Sequence, residues 1–193
     1  MIAQIKGRLV EKTPTYVVID CGGVGYEINI SLNTFSALDN EELCFLYTHF
    51  IVREDAQLLY GFKEKSEREL FRLLISVSGV GASTAMMILS SLSPKETQQA
   101  ILGGDVNTLK SVKGIGAKSA ERIIIDLRDK IAKVEGAESI SISSNNTIKE
   151  EALSALIMLG FAKNPAEKAL TKIMSLGEDL SVEELIKRTL KNL

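Results

Sequence analysis

Over the first sixty residues, β-branched and aromatic residues gather in short runs separated by turn residues, and past Phe62 the apolar spacing becomes that of helices. The runs cover 2–10, 16–20, 26–30, 43–52 and 57–62, with Thr13-Pro14-Thr15 and Cys21-Gly22-Gly23-Val24-Gly25 punctuating them. Five strands in so short a span suit a small closed barrel, of which the OB-fold is the commonest five-stranded kind. Helices are expected near 65–77, 82–91, 94–102, 106–112 and 117–134. Ser66-Glu-Arg-Glu69 and Ser93-Pro-Lys-Glu96 read as capping boxes, the second with Pro94 at the first helical position. The stretch 135–147 holds four serines and two asparagines, can bury little, and reads as a flexible linker.

The last unit, 148–193, reads as a three-helix bundle. Asn164-Pro-Ala-Glu167 and Ser181-Val-Glu-Glu184 are expected to cap its second and third helices, and Leu153, Leu156, Ile157, Leu159 and Phe161 give the first an apolar stripe. In so small a unit part of that stripe is free to serve a partner, and the stripe reads equally well as all core. The fold class is therefore α+β and multidomain: an OB-fold barrel over 1–62, an all-α domain over 63–134, a linker, and a C-terminal bundle.

The central domain carries one unit twice. Leu74, Val77, Gly79, Val80, Gly81, Ala85, Ile88, Leu89 and Leu92 return 35 positions later as Leu109, Val112, Gly114, Ile115, Gly116, Ala120, Ile123, Ile124 and Leu127. Each copy reads as a helix, a tight Gly-hydrophobic-Gly turn, and a second helix with a small alanine at the close approach, which is a helix-hairpin-helix. The turn needs backbone angles that a side chain penalises, and the amides that open the second helix lack intrahelical partners at the positive end of its dipole. Such a place binds phosphate, and gripping the backbone fixes position without reading bases. The candidate contacts are Gly79, Val80, Gly81, Ala82 and Ser83 in the first copy, and Gly114, Ile115, Gly116, Ala117, Lys118 and Arg122 in the second. Lys113, Lys118 and Arg122 replace Ser78, Ser83 and Met87 of the first copy, so the second should bind phosphate more strongly. Contact at the first rests on amides and on the hydroxyls of Ser83 and Thr84. Helix packing alone accounts for the apolar positions but not for the duplicated glycines.

Charge agrees with the motif. The net charge of −2 argues against a protein that binds nucleic acid over its whole surface, yet 63–134 carries 12 Lys/Arg against 8 Asp/Glu, while 1–62 carries 4 against 8. Cys21 and Cys44 form no CxxC and have no nearby histidine, which suits reduced fillers in a cytoplasmic protein. The start of the chain lacks the features of a signal peptide, and no apolar run approaches membrane-spanning length.

Catalytic motifs do not assemble. Lys113-Gly-Ile-Gly-Ala-Lys-Ser119 superficially resembles a nucleotide-binding loop, but Val112 and Ala117 stand where that loop needs glycine. Thr84 and Ser119 likewise break the dinucleotide fingerprint. His49, the single histidine, reads as structural, and a zinc site has no ligand set. No cofactor and no metal are expected. Arg53-Glu54-Asp55 falls between two strands, at a hairpin tip. Its charges are simply solvated, or hold Mg²⁺ for a nuclease, or lie close to DNA and repel its phosphates.

Taken together, Ile2-Ala-Gln-Ile-Lys-Gly-Arg8, Gly22-Gly-Val-Gly-Tyr-Glu27, the run Thr48-His-Phe-Ile-Val-Arg-Glu-Asp-Ala-Gln-Leu-Leu-Tyr-Gly-Phe62 and the two hairpins resemble the RuvA family, the bacterial Holliday-junction recognition subunit of the branch-migration machinery. The resemblance covers nearly the whole chain in the correct order. It implies a non-enzymatic DNA-binding subunit acting in recombination and repair as a flat homotetramer, sometimes doubled to an octamer, on which an open four-way junction lies with two hairpins to each arm. Arg53 would sit near the crossover, and Glu54 and Asp55 would form an acidic pin at its centre. The third domain would tether RuvB, the hexameric ATPase, through Leu156, Leu159 and Phe161, and RuvC, the resolving endonuclease, would be a further partner. Ala82-Ser83 stands where relatives often show Pro-Lys, and Ala117 where lysine is common, so fewer side-chain phosphate contacts are expected. Two other readings compete: a monomeric duplex-binding repair protein, and a metal-dependent junction nuclease.

Overall fold

The computed structural model describes residues 1–39, 42–139, 144–175 and 180–193. Its strands are β1 (Gln4–Lys12), β2 (Tyr16–Asp20), β3 (Gly25–Ile30), β4 (Leu43–Val52) and β5 (Gln57–Phe62), closed into a barrel in the order β1-β2-β3-β5-β4. All neighbours are antiparallel except β3 and β5, which run parallel through Asn29 and Ile30 against Tyr60 and Gly61. Alternate residues turn inward: Ile5, Val17, Ile19, Ile28, Ile30, Leu46 and Leu59 form the barrel core. Between β3 and β4 lies a short helix, α1 (Leu32–Ala37), capped by the Ser31 hydroxyl on the Thr34 amide.

The repeat domain contains α2 (Lys65–Ile75), α3 (Ala82–Ser91), α4 (Pro94–Gly103), α5 (Val106–Lys110) and α6 (Ala117–Ser139). The expected Ser93 capping box is present, with Pro94 at the start of α4. The one expected at Ser66 is not. Helix α2 already begins at Lys65, where the Arg68 amide closes the first turn on the Glu64 carbonyl at 3.3 Å, so Ser66 lies inside the helix.

Barrel and repeat domain share a core and form one compact unit, residues 1–133. Phe71, fully buried on α2, packs its ring against Tyr60 at 5.1 Å, Phe62 at 5.0 Å and His49 at 5.5 Å. Arg68 donates to the Ala3 carbonyl at 2.9 Å and lies over the Tyr47 ring. On the other side, Asn33 of α1 donates to the carbonyls of Leu89 and Leu92 at the end of α3, and Ser90 Oγ accepts from the Leu32 amide at 3.2 Å. Two carbonyls at the end of α3 are thereby satisfied from α1.

The second unit, residues 134–193, holds α7 (Ser144–Met158), α8 (Lys163–Met174) and α9 (Val182–Leu190). Ala152, Leu156, Ala166, Leu170, Ile173 and Leu185 form its buried core. Ser181 caps α9 in the expected box, whereas Asn164 does not cap α8. That helix begins two residues before the start an Asn164 cap implies: the Ala166 amide bonds the Ala162 carbonyl at 3.2 Å, and Asn164 and Pro165 fall in the first turn, where proline is tolerated. Both ends of the stretch expected as a linker, 135–147, are helical. Helix α6 continues to Ser139, helped by the good helix formers Glu135, Ala137 and Glu138, and α7 starts at Ser144; residues 140–143 lie outside the described residues. Among the described residues no helix is long and apolar enough to cross a membrane.

Candidate nucleic-acid interface

The two repeats close their turns in the same way. After α2, Val77 N–H bonds the Leu74 carbonyl and Val80 N–H the Val77 carbonyl, at 3.1 and 3.0 Å. After α5, Val112 N–H bonds the Leu109 carbonyl and Ile115 N–H the Val112 carbonyl, at 3.3 and 3.1 Å. Between those bonds stand Gly79 and Gly114, with φ of +88° and +89°, a conformation that penalises any other residue. Leu74, Val77, Val80 and Ala85, like Leu109, Val112, Ile115 and Ala120, are buried and hold each turn against the core. Asp105 fixes the start of α5 by accepting from the Asn107 and Thr108 amides.

The second glycine of each turn is a different case. Gly81 has φ −84° and ψ 170°, which any residue adopts, and a Cβ built on Gly81 or Gly116 meets nothing within 4 Å. Both are exposed. Neither the backbone conformation nor the packing of this chain requires glycine there, and a serine at Gly81 would cap α3 better. What the two glycines provide is open space over the helix start. The first i→i+4 bonds run from Ala85 to Gly81 and from Ala120 to Gly116, at 3.0 Å each, so the preceding amides have no partner inside the helix.

The candidate contacts divide accordingly. Gly79, Gly81, Ser83, Gly114, Gly116, Ala117, Lys118 and Arg122 are exposed, as is Lys113. Val80, Ala82 and Ile115 are buried, at 6%, 4% and 6% exposure, so their side chains belong to the core, and a contact through them would rest on backbone amides, as the apolar character of these positions implies. Arg122 does more than face solvent. Its Nη1 donates to the Ser78 carbonyl at 3.1 Å, reaching from the second repeat into the first turn. Sequence alone offers no signal for this, because the partners lie 44 residues apart and belong to different copies.

The β4–β5 hairpin ends in a tight turn, where Val52 pairs with Gln57 and the Arg53 amide bonds the Ala56 carbonyl at 2.8 Å. Arg53, Glu54 and Asp55 are all exposed at its tip. His49 lies on the same hairpin, half-buried, where Nδ1 accepts from Arg72 Nε at 3.3 Å. Burial, then the nearby Arg72 and Arg68 charges, push its pKa below the ordinary value.

In the bundle, α7 ends at Met158 and Gly160 follows with φ +98°, where the Phe161 amide bonds the Leu156 carbonyl at 3.1 Å. Leu159 is 60% exposed, but Leu156 is fully buried, which corrects its reading as a partner contact: it holds the three helices together. Phe161 is half-buried against the same core. Met158, outside the stripe read from the sequence, is 88% exposed beside Leu159.

Comparison with known proteins agrees with this layout from end to end. Residues 1–61 match the RuvA N terminal domain, 71–129 a SAM-like helix-hairpin-helix tandem, and 147–193 the RuvA C-terminal domain. Proteins named Holliday junction branch migration complex subunit RuvA share 57% identity in Christiangramia forsetii and 55% in Flavobacterium psychrophilum over 193 residues, and 50% in Bacteroides fragilis over 201. In each case the whole of both chains is covered. With a closed barrel, a duplicated hairpin and a terminal bundle in that order, the chain belongs to the RuvA family.

Proposed function

We propose that this chain is the non-catalytic, structure-specific DNA-binding subunit of a branch migration complex, recognising four-way junctions by shape in recombination and repair. The observation that carries the reading is the pair of exposed glycine turns, each leaving open space over unpartnered helix-start amides. A sugar-phosphate strand fits such a place in charge and in bulk. Backbone contact carries no base sequence, so recognition rests on where the phosphates lie.

The rest of the mechanism follows from placing attraction and repulsion apart. The hairpins draw duplex arms inward through amides, reinforced in the second copy by the exposed Lys113 and Lys118. The exposed Glu54 and Asp55 at the barrel tip repel phosphate, and in a fourfold assembly they gather about one axis and hold the crossover open, with Arg53 beside it. A plain duplex has no such centre to be held open. Crowding and partial desolvation keep salt from screening the repulsion fully. The homotetramer, or its doubled octamer, supplies that symmetry. RuvB docks on the bundle through Leu159 and the exposed edge of Phe161 and hydrolyses the ATP, RuvC acts on the same junction, and the protein works in the cytoplasm.

A competition gel shift tests the reading: a synthetic four-way junction against linear duplex of equal length, with and without Mg²⁺, alongside the mass in solution. Preference for the junction, uncut, by a multimer is expected, falling steeply with salt. Equal affinity with a monomeric mass would favour a general duplex binder, and Mg²⁺-dependent cutting a nuclease.

A further inference from the structure

We infer that Arg122 is a positioning residue, which braces the first turn from the second repeat so that the two turns act as one clamp; its role in DNA binding rests on the hairpin reading above. Arg122 lies on α6, in the second copy, yet its Nη1 bonds the Ser78 carbonyl of the first. That carbonyl belongs to the peptide leading into Gly79, the residue whose left-handed backbone makes the turn. A Cβ added at Gly79 would lie 3.8 Å from the same Nη1, so the guanidinium flanks the turn beyond the one bonded oxygen. A charged donor on a carbonyl is a strong hydrogen bond, and its planar group holds one orientation.

The brace runs in one direction. At the place in the first copy that corresponds to Arg122 stands Met87, which has no donor N–H to return. The first copy is also the one that lacks basic side chains, with Ser78 and Ser83 where the second has Lys113 and Lys118. Its grip depends on amide geometry, so accuracy of the turn matters most there. Arg122 supplies that accuracy and brings a positive charge to the weaker turn.

Arg122→Gln in the full chain provides the test, since Arg122 is exposed and lies outside the buried core. In the DNA-free protein, amide exchange at Val80, whose N–H closes the first turn, should rise about tenfold, while that at Ile115 in the second turn stays as it was. Affinity for a synthetic four-way junction should fall, and the loss should shrink to within about twofold in a Gly79→Ala background, which disturbs the same turn. Unchanged exchange at Val80 would overturn the brace whatever happens to DNA binding. A loss of equal size in both backgrounds would also overturn it, marking Arg122 as a phosphate ligand in its own right. Faster exchange at Val80 with junction affinity unmoved by either variant would support the brace and sink the hairpin reading instead.

Discussion

The Thr34 hydroxyl donates to Glu67 Oε2 at 2.7 Å, while Ser31 donates to the other oxygen of the same carboxylate. Glu67, only 3% exposed, thus joins α1 of the barrel to the first helix of the repeat domain. Thr34 Oγ1 also accepts from the Lys63 amide at 3.3 Å, at the point where the chain passes from β5 into α2. Burial pushes the Glu67 carboxyl above its ordinary value of 4.5, and the two hydroxyl bonds only partly offset this.

A pH dependence follows. Because the folded protein binds this proton more tightly than the unfolded chain, the stabilisation is complete below the ordinary value of 4.5 and is lost as pH rises through the raised one. Denaturant unfolding of the wild type and of Glu67→Gln, compared pH by pH, should show the wild type losing stability relative to the variant across that window. A constant difference would remove Glu67 as the cause. Glu67→Ala leaves both hydroxyls without their acceptor and should cost about 2 kcal/mol.

The two kinds of glycine in the turns should respond differently. Gly114→Ala forces a side chain into φ +89° and should destabilise the fold by about 1–2 kcal/mol. A Cβ at Gly116 meets nothing within 4 Å, so thermal unfolding of Gly116→Val should move little, yet junction and duplex affinity should both fall by roughly tenfold as the open space is filled. Full affinity in Gly116→Val would remove the phosphate site from the second turn.

Much of this was legible in the residues themselves. The strands over 16–20, 43–52 and 57–62 appear where β-branched and aromatic runs predict them, and the 35-residue offset locates both turns. Helix α1 leaves no such mark, because six residues carry too little periodicity to register. Capping motifs identified α4 and α9 but misplaced the starts of α2 and α8, where backbone bonds to Glu64 and Ala162 begin the helix without a side chain. What local pattern cannot show is partnership at long range. Nothing near Glu67 announces Ser31 and Thr34, and nothing near Arg122 announces Ser78. Leu156 and Leu159, in one apolar stripe, differ only in the turn that follows Met158.

If the hairpin tip excludes phosphate from the junction centre, removing its charge should improve the wrong ligand. Glu54→Gln combined with Asp55→Asn should raise affinity for linear duplex by about tenfold at low salt and leave the junction nearly unchanged, narrowing the preference between them. The effect should fade as salt is added, because exposed charges are screened within about 8–10 Å. Competition binding at two ionic strengths checks it, and unaltered discrimination at low salt would deny the tip its repulsive role.

Within the bundle, two leucines three positions apart should have opposite effects. Leu156→Ala opens a cavity among Ala152, Ala166, Leu170 and Leu185, and should destabilise the C-terminal unit by about 3 kcal/mol, read from amide exchange in the full chain. Leu159→Ala removes an exposed side chain and should change that stability by less than about 0.5 kcal/mol. If Leu159 is an anchor for the motor, however, RuvB affinity should drop by roughly tenfold or more, with junction binding intact. Because Leu156→Ala weakens the motor contact only by loosening the bundle, its loss should lessen on cooling toward the temperature of maximum stability, whereas that of Leu159→Ala should persist. Motor binding by Leu159→Ala indistinguishable from wild type would move the docking surface away from the end of α7.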